Sequence, residues 1–182
     1  MSFHLVLQST VCEPSSAKSG GIGIKGRQGL RILGGIAGAT RGAVHAELLD
    51  LLTENLAVVD NPSSKGSGNE VTMEQIALWD PELILFDADS IYDTVAGLDT
   101  WNTLSAIAGH NYLEVPESPW NWLGTPSAAQ RYLGMIWLTA QLYPEYCDYD
   151  PKAEILEFYE LFYHCRLTQQ QYEELTANAF VR

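Results

Sequence analysis

The sequence predicts an α/β fold, a mainly parallel sheet flanked by helices, on three observations. Leu83-Ile84-Leu85-Phe86 is an unbroken apolar run closed by Asp87, the pattern of a strand covered on both faces. Short apolar runs of this kind alternate with helical patterns along the chain. The helices also carry their own start signals. Thr72-Met-Glu-Gln75 matches the capping box, Thr125-Pro126 and Asp150-Pro151 place a capping residue before a proline, and Thr168-Gln-Gln-Gln171 starts the last helix.

Taken in order, residues 1–20 read as a lead-in that ends in Ser15-Ser16-Ala17-Lys18-Ser19-Gly20, and 21–182 as the folded unit. Strands are expected near Ile22–Ile24 and Gly29–Leu33. A helix over 42–53 would set Val44, Leu48, Leu51 and Leu52 on one stripe. Val58-Val59 is a short strand or simply core, and Asn61–Gly68 is a loop of Pro, Ser and Gly. The Thr72 helix runs to Trp79 and stops before Asp80-Pro81. Leu83–Phe86 forms the covered strand, and Asp87-Ala-Asp89 stands where a parallel strand ends, the usual place for functional loops. One or two short helices fill Tyr92–Ala108. Tyr112–Val115 is a strand closed by Pro116. Helices follow from Thr125-Pro126 to about Leu142, from Asp150-Pro151 to about His164, and from Thr168. Trp137, Leu138, Leu142, Tyr143, Phe158, Tyr159, Phe162 and Tyr163 fall at helical spacing and are expected in the core.

Composition bounds the function. The 182 residues are 46% hydrophobic and 18% charged, enough to bury the core of one ordinary domain. The formal net charge is −13 and the pI about 4.5. Nucleic acid and anionic membrane surfaces are poor partners for such a chain. Residues 1–65 hold six basic and five acidic residues, whereas 66–182 hold four and eighteen. Cys12, Cys147 and Cys165 lack metal-ligand spacing and form no closed disulfide framework. Cys165 is expected to act as a small apolar residue on a helix. No run approaches the roughly 20 apolar residues that span a bilayer, and residues 3–11 lack the features of a signal peptide.

Several patterns could carry chemistry. Gly21-Ile-Gly-Ile-Lys-Gly26 fits G-x-G-x-x-G, but neither a strand before it nor a helix after it supports a nucleotide site. A glycine turn is the expected reading. Gly34–Gly42 is Gly-rich and leads into a helix, where free N–H groups with Arg41 and His45 could hold an anion, or could form only a tight turn. Trp120-Asn121-Trp122 puts two large aromatics in one loop, either as a binding surface or as a lid on the core. Arg131 is the only Lys or Arg between Lys65 and Lys152. It faces that loop or pairs with an acidic neighbour such as Glu145. Asp87, Asp89 and Asp93 lack the glycine and terminal Glu of a calcium loop. The four His are scattered, and no G-x-S-x-G is present.

A co-linear set of motifs then adds a resemblance. Thr72-Met-Glu-Gln-Ile-Ala-Leu-Trp-Asp-Pro-Glu-Leu-Ile-Leu85, Trp101–Val115, Pro119–Tyr143 with its Pro-Ser and Arg131-Tyr-Leu-Gly segments, and Glu157-Phe-Tyr-Glu-Leu-Phe-Tyr-His164 resemble segments of class III periplasmic substrate-binding proteins of ABC importers. These receptors take ferric siderophores, haem, cobalamin or oxyanions. The resemblance covers about residues 20–178 and matches the C-terminal lobe. It implies a single Rossmann-like lobe, half of a two-lobed protein that holds ligand between its lobes.

It also implies a binding protein and not an enzyme, without a resident cofactor. The implied cargo is an iron complex such as a ferric siderophore, with cobalamin, haem or an oxyanion as the other classes. The implied partner is a membrane permease, reached through Glu47, and the implied location is periplasmic or extracellular and membrane-anchored. The implied ligand face comprises Arg41, His45, Asp89, Trp120, Asn121 and Trp122, with Arg131 behind. Two other readings stay open: a small nucleotide-binding α/β domain using Gly21–Gly26, and a stand-alone interaction domain that self-associates through its exposed aromatic face.

Overall fold

The computed structural model describes residues 31–34, 40–58, 71–88, 90–124 and 128–180. The lead-in, the Ile22–Ile24 strand, Gly21–Gly26 and the 61–68 loop lie outside these. The described strands are β1 (Arg31–Gly34), β2 (Glu54–Asn55), β3 (Leu83–Phe86) and β4 (Tyr112–Glu114). They make one sheet in the order β2-β1-β3-β4 with every pair parallel. Ile32 lies opposite Leu83, and Leu85 opposite Leu113. The sheet is the α/β arrangement expected from the alternating runs.

Alternation within β3 explains why its run is wholly apolar. Leu83 and Leu85 join Leu113 and Val115 in a cluster on one face, while Ile84 and Phe86 face the other. All four β3 residues are buried. On the first face lie α1 (Glu47–Leu52), α5 (Arg131–Leu142), α6 (Pro151–Tyr163) and α7 (Gln169–Leu175); on the second lie α2 (Met73–Trp79), α3 (Tyr92–Val95) and α4 (Ser105–Ala108). The result is three layers with one core on each side of the sheet.

Local capping follows the sequence signals. The Thr72 side chain accepts from the Gln75 amide to open α2. Asp150 accepts from the Lys152 amide ahead of Pro151, and both halves of the capping box form at Thr168 and Gln171. The outer edge of β4 is closed by the C-terminal turn. Glu114 donates its backbone N–H to the Asn178 carbonyl (3.0 Å), and Asn178 Nδ2 donates to Glu114 Oε2 (2.9 Å). Trp137 Nε1 donates to the Ala179 carbonyl at 2.6 Å. A covered edge cannot recruit another strand.

Five expectations need correction. The 42–53 helix divides into a 3-10 turn (Val44–Ala46) and α1, and its buried residues are Ala46, Leu48 and Leu49. Val44 and Leu51 are exposed, because the tighter turn rotates the face that follows it. The short strand found is Glu54–Asn55; Val58 lies outside any strand and is exposed, so it is not core either, and Val59 lies outside the described residues. The described part of α5 begins at Arg131, preceded by the turn at Ala128–Gln130, and Thr125-Pro126 lies outside the described residues. Arg131 is therefore the first residue of its helix and not one well inside it. Cys165 lies past the end of α6 and is exposed, so it is no core residue. In the aromatic stripe, Trp137, Phe158 and Tyr159 are buried, while Phe162 is partly exposed.

Packing depends on one close backbone approach. A Cβ at Gly134 would lie 2.3 Å from the Trp122 carbonyl oxygen, which no side-chain rotation relieves. Gly134→Ala is expected to cost about 2 kcal/mol or more in urea unfolding. Gly97→Ala meets only the Thr94 carbonyl at 3.4 Å and is expected to change stability by less than about 1 kcal/mol.

Candidate functional site

The strand order places a switch point between β1 and β3, because β2 flanks β1 on the other side. In sheets of this kind ligands bind beyond the carboxyl ends of the strands at that point. Asp87 follows β3 there, Thr40–Ala46 lies on the path from β1 to α1, and Val115–Gly124 follows β4.

The loop after β4 is built around its second tryptophan. Trp122 is fully buried and meets the Trp137 ring edge-on at 6.3 Å. Its backbone N–H donates to the Pro116 carbonyl (3.1 Å), and Glu117 bridges to Asn121. Asn121 is also buried, and both ends of its carboxamide are engaged. Its Oδ1 accepts from the Leu123 amide at 2.9 Å, and its Nδ2 donates to Asp87 Oδ1 at 3.0 Å. Asn121 thus ties the loops after β3 and β4 together. Both residues are buried and hold the loop from within; for Trp122 this is the lid-on-the-core alternative. Trp120 is different: it is 51% exposed, and the burial of Trp122 leaves it pointing away from the core.

A second set of bonds joins this loop to the start of α1. His45 Nδ1–H donates to the Gly124 carbonyl at 2.9 Å, which fixes the ring's orientation. Arg131 Nη1 donates to Glu47 Oε2 and Nη2 to the Val44 carbonyl, each at 2.5 Å. The cation's partner is therefore Glu47, 84 residues away in sequence, and not Glu145. Gly124 has φ +119°, and a Cβ there would lie 2.8 Å from Arg131 Nε. A glycine is required both by the backbone and by the guanidinium beside it.

The structure thus brings His45, Glu47, Arg131 and the Trp120 loop together at the carboxyl edge of the sheet. Arg41 stands at the head of the same segment with its side chain exposed and its backbone N–H bonded to the Ala57 carbonyl. Asp89 lies outside the described residues. No group of His, Cys, Asp and Glu among the described residues is placed to hold a metal. None of their helices is long and apolar enough to cross a membrane.

Three contributors have no site role in the sequence reading. Gly124 supplies the carbonyl for His45, and its loop glycine after two bulky residues was the available signal. Val44 contributes only its carbonyl, which no pattern reveals. Tyr159 donates its hydroxyl to the Ser118 carbonyl and braces the Trp120 loop from α6. Burial pushes the Tyr159 phenol up to about 12, against hydrogen bonds that pull the other way.

No protein-family model and no curated protein matches the chain. Solved structures do. A solute-binding protein of an ABC transporter from Sulfurospirillum deleyianum is 28% identical, with a TM-score of 0.72 over 83% of this chain and 48% of that one. A periplasmic solute-binding protein from Veillonella parvula is 21% identical, with a TM-score of 0.69 over 97% and 52%. The molybdate-bound periplasmic protein MolA of a Haemophilus influenzae ABC transporter is 18% identical, with a TM-score of 0.62 over 76% and 43%. This chain spans about half the length of these proteins. It has the fold of a single lobe of periplasmic solute-binding proteins of ABC transporters.

The Tyr159 brace has a measurable consequence. A phenol whose folded pKa is raised stabilises the protein below its unfolded value near 10, and that stability is lost as pH climbs from there toward 12. Burial raises Tyr143, Tyr163 and Tyr172 in the same direction. Tyr159→Phe is expected to flatten the alkaline fall in unfolding free energy. It should also speed amide exchange at Trp122 and its neighbours in the Trp120 loop, through loss of one hydrogen bond worth about 1 kcal/mol. An unchanged alkaline profile and unchanged exchange would remove the brace.

Proposed function

We propose that this chain is the C-terminal lobe of the solute-binding component of an ABC importer, and that its cargo is an iron complex such as a ferric siderophore. The observation that carries the reading is the convergence of His45, Arg131 and an exposed Trp120 at the switch point of a parallel sheet. An exposed aromatic ring on the loop whose far end packs against the Arg131 guanidinium suits a large ligand of diffuse negative charge. Such a lobe performs no chemistry. Ligand is held between lobes and handed to a permease, for which Glu47, 70% exposed along its side chain, is the docking carboxylate. The working location would be the periplasm or the outer face of a membrane. Haem, cobalamin and compact oxyanions are the alternative cargo classes.

Isothermal titration of the chain against a ferric siderophore, haem, cobalamin, molybdate, ATP and NADH tests this. One saturable ligand is expected. Arg131→Ala should weaken it about tenfold or more, since it removes a charge-assisted contact. Trp120→Ala should weaken it about tenfold by removing the stacking surface. Leu78→Ala, on an exposed position of α2, should leave it unchanged. Binding of ATP or NADH alone would overturn the proposal, and unchanged affinity in both site variants would reject the site.

A further inference from the structure

We infer that Glu47 sets how much negative charge this site accepts, and so acts as a specificity-determining residue. The inference rests on the proposed ligand-binding role of the site.

Arg131 is a permanent cation with a planar fork of donors, and the chain offers no other Lys or Arg between Lys65 and Lys152. Within the lobe that fork is already engaged. Nη1 meets the Glu47 carboxylate and Nη2 meets the Val44 carbonyl. The guanidinium is also crowded where it lies. Gly124 sits so close on one side that even a methyl group there would lie 2.8 Å from Nε, and α1 holds the other side. The two partners differ in exposure: the Arg131 side chain is 21% exposed and that of Glu47 is 70%. The carboxylate is the partner able to leave, because water can receive it at little cost. An anionic ligand that reaches Arg131 must therefore displace Glu47 or lie beside it.

That competition does not weigh equally on all ligands. A compact divalent oxyanion draws most of its affinity from a directly bonded cation and meets the full repulsion of a carboxylate a few ångströms away. A bulky complex spreads its charge and gains much of its affinity from aromatic contact with Trp120, so it loses little. Glu47 thereby biases the site against small, densely charged oxyanions and toward large ligands.

Titration of the full chain and of Glu47→Gln with two probes, molybdate and a ferric tris-catecholate, tests this. Glu47→Gln should tighten molybdate about two- to fivefold, the range set by losing one exposed ion pair as a competitor. The catecholate complex should change by less than about twofold. Glu47→Gln/Arg131→Gln should lose the gain for molybdate. Thermal melts within a few degrees of the parent show that the variants are folded. Equal affinities of parent and Glu47→Gln for both probes, where the parent binds, would overturn the inference while the proposed function stands. Weaker binding of both probes by Glu47→Gln would also overturn it, since the carboxylate would then support the ligand. Binding of neither probe by parent or variant would overturn the inference, and the haem and cobalamin titrations of the parent then decide the proposed function.

Discussion

The site depends on the burial of Trp122. A buried tryptophan removes about 150–250 Å² of surface from water, which at about 25 cal/mol per Å² is worth roughly 4–6 kcal/mol. Each hydrogen bond in the same loop contributes about 1 kcal/mol. The ring therefore decides where the loop sits, and the bonds refine it. With Trp122 lodged against Trp137 and its carbonyl pressed onto Gly134, the neighbours have little choice. Asn121 turns inward to Asp87, Trp120 turns outward, and Gly124 presents its carbonyl to His45.

The electrostatics are layered on that frame. Residues beyond 65 carry eighteen acidic and four basic side chains, so one well-placed cation in that stretch dominates its surroundings. Arg131 owes its position to the first turn of α5 and its direction to two acceptors on the 44–47 turn. A partly exposed ion pair of this kind adds little to stability. Its larger effect is on what else can approach the guanidinium. The same carboxylate stands at the place proposed for docking, so cargo and partner would meet at one side chain.

Much of the architecture was legible beforehand because its signals are local. The four residues of β3 read as a doubly covered strand, and alternation alone splits them between two cores. Thr72, Asp150 and Thr168 open helices as their side-chain chemistry requires. The errors arise where a local rule was overridden. A 3-10 turn at Val44–Ala46 shifted the buried face of α1 onto Leu49. An Asn-containing pair, Glu54–Asn55, became a strand because β1 offered it hydrogen bonds, not because its side chains favour one.

By itself the sequence determined the alternation of strands and helices, the helix starts and the residue types that a ligand site would need. These follow from periodicity and capping, which act within a few residues. Which of two tryptophans is core and which is surface was decided only by the tertiary structure. So was the choice of Glu47 over Glu145 as the partner of Arg131, and the role of Gly124 between His45 and the guanidinium. The last two depend on contacts between segments about 80 residues apart, and the first on the packing of the loop after β4 against α5; such contacts exist only once the sheet has brought these elements together.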